Sequence, residues 1–592
     1  MTALAERAAP PTPPVVDHPG RNRRADLAML GICVAGALYL TFGMWLDPNH
    51  RAIAHNQGDQ ALFEWLLSYA AYSPTHGANP YWTTLLNYPV GANLAVNTSM
   101  VVVGGLLAPV TLTLGAPVAF LVALTLNLVL TPYAWYHVLS RHMVRTRAAA
   151  VLGGLFCGWA PGMISHANGH LNFSAQFLVP FLVLGTLRLR ERGHSLRAGA
   201  VLGLLVVVAF SMGAELLFFV ALACGVFVLA WAAQDRASAR VATPAFLRGL
   251  GVAAAVAGVL LAYPLYRQFA GPQRYHGIGF DQRWHSEDLA SFGALPYLSP
   301  GRFLGLWVKL APNWSEETTF FGPALLVLTV ACFVVLWRRR VVRALAVTAV
   351  FLAVLALGPL LHVGGHWTRI VLPYAALWRL PIFDSALPAR FALMLTPIIG
   401  VLLAFALDRA LALPRRARGW WLAAFAAALV PLVPLSIPAA ARDPVPHFFT
   451  SGTWRQYVHN GQILVPVPPA SDLCPDGQRW QTATNFGFAI PAGFFLGPGP
   501  DGRSQIGPIH RPTYEMLNLA ALHGYVPIIT DRDRQQAQLD LAYWHASVVV
   551  LSDGGQGSRW TPHRELLLRI TTELLGPPRR VDDVWLWQVG PP

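Results

Sequence analysis

The sequence predicts a polytopic α-helical membrane protein of about 11 transmembrane helices, followed by a C-terminal extracytoplasmic α/β domain. Three observations carry this. Of the 592 residues, 54% are hydrophobic and only 12% are charged, whereas a soluble chain of this length carries roughly twice that charged fraction. Apolar runs recur along the first three-quarters of the chain, each near the ~20 residues needed to cross a ~30 Å hydrocarbon core. After about residue 440 the long apolar runs give way to short strand-like and amphipathic segments.

Residues 1–25, MTALAERAAPPTPPVVDHPGRNRRA, read as a Pro-rich disordered cytoplasmic tail. The apolar run after it is long for a cleavable signal and is expected to be a retained first span. The net charge of +14 sits in short arginine clusters: Arg21, Arg23 and Arg24; Arg141, Arg145 and Arg147; Arg188, Arg190, Arg192 and Arg197; Arg338 to Arg340; Arg415, Arg416 and Arg418. The positive-inside rule assigns such clusters to cytoplasmic loops. No basic stripe interleaved with aromatics occurs on a soluble module, which excludes nucleic acid as a partner. Lysine is nearly absent, Lys309 excepted, while Ala, Gly, Pro and Arg abound; this bias points to a high-GC bacterium of the actinobacterial kind.

With the clusters inside, a transmembrane domain over 26–439 follows. Span 1 (27–46) exits into an outer loop, 47–115. Within that loop 99–114 is apolar but short and broken by Pro and Gly. If it crossed, the Arg141–Arg147 cluster would land outside, so it is expected to be re-entrant or interfacial. Spans 2 (116–139), 3 (148–164) and 4 (174–190) come next, then a run from 198 that splits at SMGAE, 211–215, into spans 5 and 6. Span 7 (246–264) leads to the outer loop 266–320, rich in Trp, Tyr and Pro. Spans 8 (321–337) and 9 (342–361) lead to the outer loop 362–388, and spans 10 (389–408) and 11 (419–438) complete the set. Residues 440–592 are expected to form one extracytoplasmic α/β domain, with GQILVPVPP and ASVVVLSD as strands and HRELLLRITTELLG as a helix.

Four of the five cysteines lie in apolar segments and Cys474 stands alone, so neither a disulfide framework nor a paired-cysteine metal site is expected. No P-loop, dinucleotide fingerprint, zincin motif or nucleophile elbow occurs.

The chemistry is expected in the outer loops. In NQGDQALFEWLLSYA, 56–70, Leu62, Trp65, Leu66 and Tyr69 fall on one helical face, with Gln60, Glu64 and Ser68 opposite. Such a helix suits the membrane interface, with Trp and Tyr at headgroup level. Asp59 opens it. Its residue type fits an N-cap, which stabilises by ~1 kcal/mol, and equally a functional carboxylate. In SHANGHLNF, 165–173, His166, Asn168 and His170 suit sugar hydroxyls. Two histidines four apart also permit a metal, but no third ligand is apparent nearby. In RWHSEDL, 283–289, His285, Glu287 and Asp288 form a polar cluster that touches substrate or caps the helix beginning near Leu289. Glu215 at the break between spans 5 and 6 is an intramembrane acid, a residue type usually kept for function.

One span to the outside, a long outer loop opening with an acid, many further spans and an outer C-terminal domain resemble the GT-C superfamily of membrane glycosyltransferases. The sharper local matches are GDQALFEW and LNYPVGANLAVNTS (86–99), and RWQTATNFGFAIPAGFF (479–495) has the same flavour. The resemblance implies a polyprenyl-phosphate sugar donor, a cell-envelope glycan or glycolipid acceptor, and the outer face of the bacterial cytoplasmic membrane. It makes Asp59 the general base of an inverting transfer, although Gly58 stands where a second acid is common. The leaving phosphate needs charge neutralisation, for which arginine's forked donors suit. Arg390 in FDSALPARF (383–391) is the first candidate and Arg379 in LWRLP the second; interfacial snorkelling is the alternative for each. Glu64 joins His166, Asn168, His170, His285, Glu287 and Asp288 as a substrate-binding candidate. No cofactor is required by the sequence, and a divalent metal stays open. A lipid-linked-sugar flippase or a non-catalytic envelope-assembly protein would share much of this pattern, but the polar residues concentrate in outer loops rather than at the midplane where transporters bind.

Overall fold

The computed structural model describes residues 22–458, 462–555 and 557–590, so the expected tail lies outside the described residues as far as residue 21. The first helix, α1 (Arg23–Trp45), is capped by Asn22. After it come α2 (Gln57–Thr75), the short α3 (Val101–Leu106) and α4 (Ala108–Leu114), and the long α5 (Ala116–His142). Asp26 at the start of α1 accepts hydrogen bonds from Arg141 (2.6 Å) and Tyr136 (2.9 Å) near the end of α5. The start of α1 and the end of α5 therefore share one end of the bundle. The chain between them leaves and re-enters at the other end, and α3 and α4, with six and seven residues, are far too short to cross. The 99–114 segment accordingly does not span.

Helix α6 (Arg147–Trp159) continues into α7 (Pro161–His166), and the short α8 (Leu171–Ser174) leads to α9 (Val179–Arg188). Next are α10 (Ser195–Met212), α11 (Ala214–Gln234), α12 (Arg236–Leu260) and α13 (Ala262–Ala270). The break between α10 and α11 falls at Gly213, inside the SMGAE stretch. After the loop through 320 come α14 (Gly322–Leu336), α15 (Arg340–Ala356), α16 (Leu395–Leu411) and α17 (Arg415–Leu429). Among the described residues seven helical stretches are long and apolar enough to cross a membrane, and α9 and α14 are shorter apolar helices. The chain is a mostly helical, multi-pass membrane protein. Helix α16 and the 3-10 turn before it are the most enclosed of these stretches, with 94% of the apolar window buried, so this helix lies inside the bundle rather than on its outer surface.

Beyond α17 the strand Ala439–Ala441 pairs antiparallel with Arg51–Ile53, which ties the start of the C-terminal part to the residues just before α2. A four-stranded sheet follows, ordered Arg579–Val581, Val584–Gln588, Ala546–Ser552, Ile463–Val467. The last two strands are parallel and the other pairs antiparallel. The helices of this part are α18 (His447–Thr450), α19 (Asp476–Ala483), α20 (Pro512–His523), α21 (Asp531–Tyr543) and α22 (Arg564–Leu575). Val549 and Leu551 of the sheet share an apolar core with Leu517, Leu541 and Leu567 of α20, α21 and α22.

The interfacial placement expected for α2 is not what the structure has. Trp65, Glu64 and Gln60 are all buried. Trp65 donates to Gln481 Oε1 of α19 at 2.9 Å and meets Phe486 edge-on. An amphipathic pattern reports that one face is apolar, not whether lipid or protein covers it, and here α19 and the loop after it do. The RWQTATNFGF stretch thus braces α2 from behind.

Candidate active site

Asn56, not Asp59, caps α2: its Oδ1 accepts the Asp59 N–H at 3.4 Å. Asp59 sits one turn in, so its carboxylate is released from capping. The Oδ2 atom accepts from Asn56 Nδ2 at 2.6 Å and pairs with His170 Nε2 at 3.2 Å. Burial would raise this carboxyl. The bonds from His170 and Asn56, with the charge of Arg390, outweigh it and hold Asp59 below the usual carboxylate range, ionised at neutral pH.

The loop that brings His170 is locked to its neighbours. Asn168 O accepts from Asn56 Nδ2 at 3.0 Å and from Ser315 Oγ at 2.7 Å, and Ser165 Oγ accepts from the Glu317 N–H at 2.9 Å. Gly169 has φ +107°, and Asn56 lies 2.4 Å from where a Cβ would be, so a side chain there is excluded by both backbone and space. The same loop 313–319 delivers Glu316, a residue that sequence reasoning missed. Arg390 donates to Glu316 through Nε (3.1 Å) and Nη2 (2.6 Å), and to Glu215 Oε2 through Nη1 (3.0 Å). Its guanidinium lies over the Phe173 ring, 4.6 Å from the centroid. Burial would raise the Glu316 carboxyl, but Arg390 beside it prevails and holds it at about 2. Asp59, His170, His166, Glu316, Arg390 and Glu215, from five separated segments, form one continuous chain of contacts.

The histidine pair fixes where a cation fits. The Nδ1 atoms of His166 and His170 are 2.9 Å apart, so one donates and the other accepts. With both rings neutral, donation of His170 Nε2–H to Asp59 leaves its Nδ1 as acceptor, and His166 must then carry its proton on Nδ1. His166 Nε2 is left as a bare lone pair. That atom is buried without a hydrogen-bond partner and faces Glu316 Oε2 at 3.9 Å. A lone pair opposite a carboxylate with no proton between is repulsive until a cation enters. In this tautomer His166 Nε2 and Glu316 are the free ligands. His170 also lies within 4.8 Å of both and joins them when the proton shared by the two Nδ1 atoms is displaced, giving a mixed imidazole and carboxylate set that suits a divalent transition ion. The expectation of no third ligand is corrected: the third ligand comes from a loop some 150 residues away (146 positions after His170), which spacing along the chain cannot reveal.

Other candidates fall elsewhere. Glu64 forms a buried ion pair with Arg442 at 2.8 and 3.0 Å and accepts from Gln60; it is 2% exposed and cannot reach a substrate. Arg379 is exposed and lies over its neighbour Trp378, with no carboxylate partner among the described residues. Asp288 caps the 3-10 turn Leu289–Gly293 and accepts from Gly364 and Gly365 N–H at 2.8 and 2.7 Å, which is structural work. Glu287 is buried against Ser291 and Thr319, and burial pushes it up to about 8. His285 borders the site: burial lowers it, and the charges of Glu316 and Arg390 reach it.

Gly58 has a physical reason. A Cβ there would lie 2.0 Å from the Asp472 carbonyl oxygen, so no second acid fits at this position. The Asp472 carboxyl instead approaches from the C-terminal part. Burial raises it, and the negative charge of Asp59 adds to the rise.

The fold has relatives among solved structures. The chain matches the Archaeoglobus fulgidus oligosaccharyltransferase complex with Zn and sulfate with TM-score 0.50 and 12% identity, covering 91% of this chain and 70% of that one. It matches the arabinofuranosyltransferase AftD from Mycobacteria with TM-score 0.56 and 14% identity, covering 98% of this chain and 40% of that one. Both are GT-C-fold glycosyltransferases, and the present chain has that fold. No family model and no curated protein matches the sequence.

Proposed function

We propose that this chain is a membrane glycosyltransferase. It moves a sugar from a polyprenyl-phosphate donor to a cell-envelope glycan or glycolipid on the outer face of the bacterial cytoplasmic membrane, with inversion and with Asp59 as general base. The observation that carries the reading is the convergence of Asp59, His170, His166, Glu316 and Arg390 at one end of the bundle. Likeness to an oligosaccharyltransferase and an arabinofuranosyltransferase supports the same reaction class.

Asp59 Oδ2 is engaged by Asn56 and His170, which orients the carboxylate and leaves Oδ1 to accept a proton. The acceptor hydroxyl gives that proton to Oδ1 as its oxygen bonds to the anomeric carbon. The bond from that carbon to the donor phosphate breaks on the opposite face, with its electron pair leaving on the phosphate oxygen. A lipid phosphate is a good leaving group, so no general acid is needed.

Arg390 is already shared by two carboxylates, so its part is to orient Glu316 and Glu215 rather than to act alone on phosphate. Asp59, Glu316 and Glu215 outnumber Arg390, and this excess negative charge repels a phosphate donor unless a cation joins them. His166, His170 and Glu316 would hold a divalent ion, which supplies charge neutralisation for the leaving phosphate.

The test uses purified protein in proteoliposomes with labelled polyprenyl-phosphate sugars and an envelope glycan acceptor. Formation of a glycosidic bond with inverted anomeric configuration is expected. Label crossing the bilayer with no new glycosidic bond overturns the reading in favour of a flippase.

A further inference from the structure

We propose that the cavity among α9, α11, α12, α15 and α16 binds one anionic phospholipid, with its acyl chain inside and its phosphate at Arg188 and Arg190. The cavity holds about 590 Å³, within the roughly 300–1,000 Å³ of ligand sites. It is about four times the ~150 Å³ of an apolar void that already takes up benzene. Along α11 its wall runs from Val220 to Trp231, roughly 16 Å of helix, an elongated shape suited to a hydrocarbon chain.

The interior asks for no polar partner. Val183, Phe227, Leu345 and Ile398 are among its walls. Of the hydroxyls there, Thr186, Thr243 and Thr348 each donate to the carbonyl four residues earlier, at 2.9, 2.8 and 2.9 Å. Their polarity is spent within their own helices, so water gains little and an alkyl chain fits. Leu229, Val241 and Leu247 on adjoining turns of α11 and α12 are exposed, which puts this face against lipid.

The end away from Asp59 is charged. Arg188, Arg190 and a single acid, Glu191, line it. Arg190 lies over the Trp231 ring, 5.5 Å from its centroid, and neither arginine has a carboxylate partner among the described residues. Basic residues between transmembrane helices at this depth recognise anionic headgroups. This lipid is not the proposed sugar donor. The cavity is lined from Met394 to Phe405 along the α16 stretch. Phe405 is more than roughly 20 Å of helix from Arg390, so a phosphate at the arginine-lined end is remote from Asp59.

The test is native mass spectrometry of the full chain in mild detergent, delipidated and titrated with phosphatidylglycerol or phosphatidylcholine of the same acyl chains. One phosphatidylglycerol per chain is expected, at least tenfold tighter than phosphatidylcholine. In Arg188→Ala/Arg190→Ala that preference should fall below twofold, and Ala223→Trp, which fills the cavity, should remove binding of both lipids. Equal affinity of the wild-type chain for the two lipids overturns the proposal, as does an unchanged preference in the arginine variant. Glycerol 3-phosphate binding as tightly as phosphatidylglycerol overturns the acyl-chain part. None of these readouts depends on sugar transfer.

Discussion

The ion pair between Glu64 and Arg442 decides whether Glu64 is scaffold or substrate ligand. Arg442 is 5% exposed and Glu64 2%. Arg442 Nη1 reaches both carboxylate oxygens, and its remaining donors go to the Asn49 and Pro48 carbonyls at 3.1 Å each. Replacing Arg442 with Met leaves a buried carboxylate with Gln60 as its main partner, at an expected cost of about 3–5 kcal/mol. Glu64→Met costs a similar amount by stranding the guanidinium. The double variant replaces both charges with apolar chains and should lie within about 1 kcal/mol of wild type, because burying an ion pair carries its own desolvation penalty. Chemical denaturation in detergent, run as a double-mutant cycle, measures the coupling. Sugar transfer by the double variant should remain near the wild-type rate, since neither residue touches Asp59. Additive losses with no coupling would refute the ion-pair account, and a stable double variant without activity would return Glu64 to the substrate.

Three further outcomes follow from the same geometry. The Glu287 carboxyl sits at about 8 in the fold against about 4.5 when unfolded, so the folded state holds an extra proton between those values. Its contribution to stability is full below about pH 4.5 and falls as pH rises towards 8, by up to about 1.4 kcal/mol per unit. The negative charges of Glu316 and Asp288 raise it further and so widen the pH window of the fall, and Glu287→Gln should flatten the fall between pH 6 and 9 in thermal denaturation. Trp65→Phe leaves Gln481 Oε1 buried without its donor and should cost about 1–3 kcal/mol by chemical denaturation; a loss under 0.5 would deny that α19 braces α2. His166→Ala should lower divalent-ion affinity at least tenfold by calorimetry, and chelation should abolish wild-type transfer in a way that added divalent ion restores. Full activity in excess chelator would contradict the cation site.

The sequence pattern reached some of this and not the rest, for physical reasons. The apolar runs and arginine clusters reported a bundle, and the non-spanning 99–114 segment followed from their alternation; the bonds from Asp26 to Arg141 and Tyr136 agree with it. Asp59, His170, His166 and Arg390 were visible because polar groups beside apolar spans are costly. Glu316 was not, because in NWSEETTFF two adjacent acids look like a solvated loop, and only the packing of that loop on Ser165 and Asn168 buries them both, Glu316 against Arg390 and Glu317 against Trp307. The burial of α2 escaped for a related reason, since its apolar face meets α19 more than 400 positions later, Trp65 to Gln481 being 416 apart. Gly58 looked like a missing acid, whereas it makes room for the Asp472 backbone.

The central claim is that Asp59 removes the proton from the acceptor. Asp59→Asn keeps the size of the side chain and its contact with Asn56 but cannot take up that proton. Its rate of transfer from labelled polyprenyl-phosphate sugar, measured beside its donor affinity, is the most direct test. The account predicts a rate at least ~100-fold below wild type, with donor binding and thermal stability retained. Transfer at the wild-type rate would contradict it.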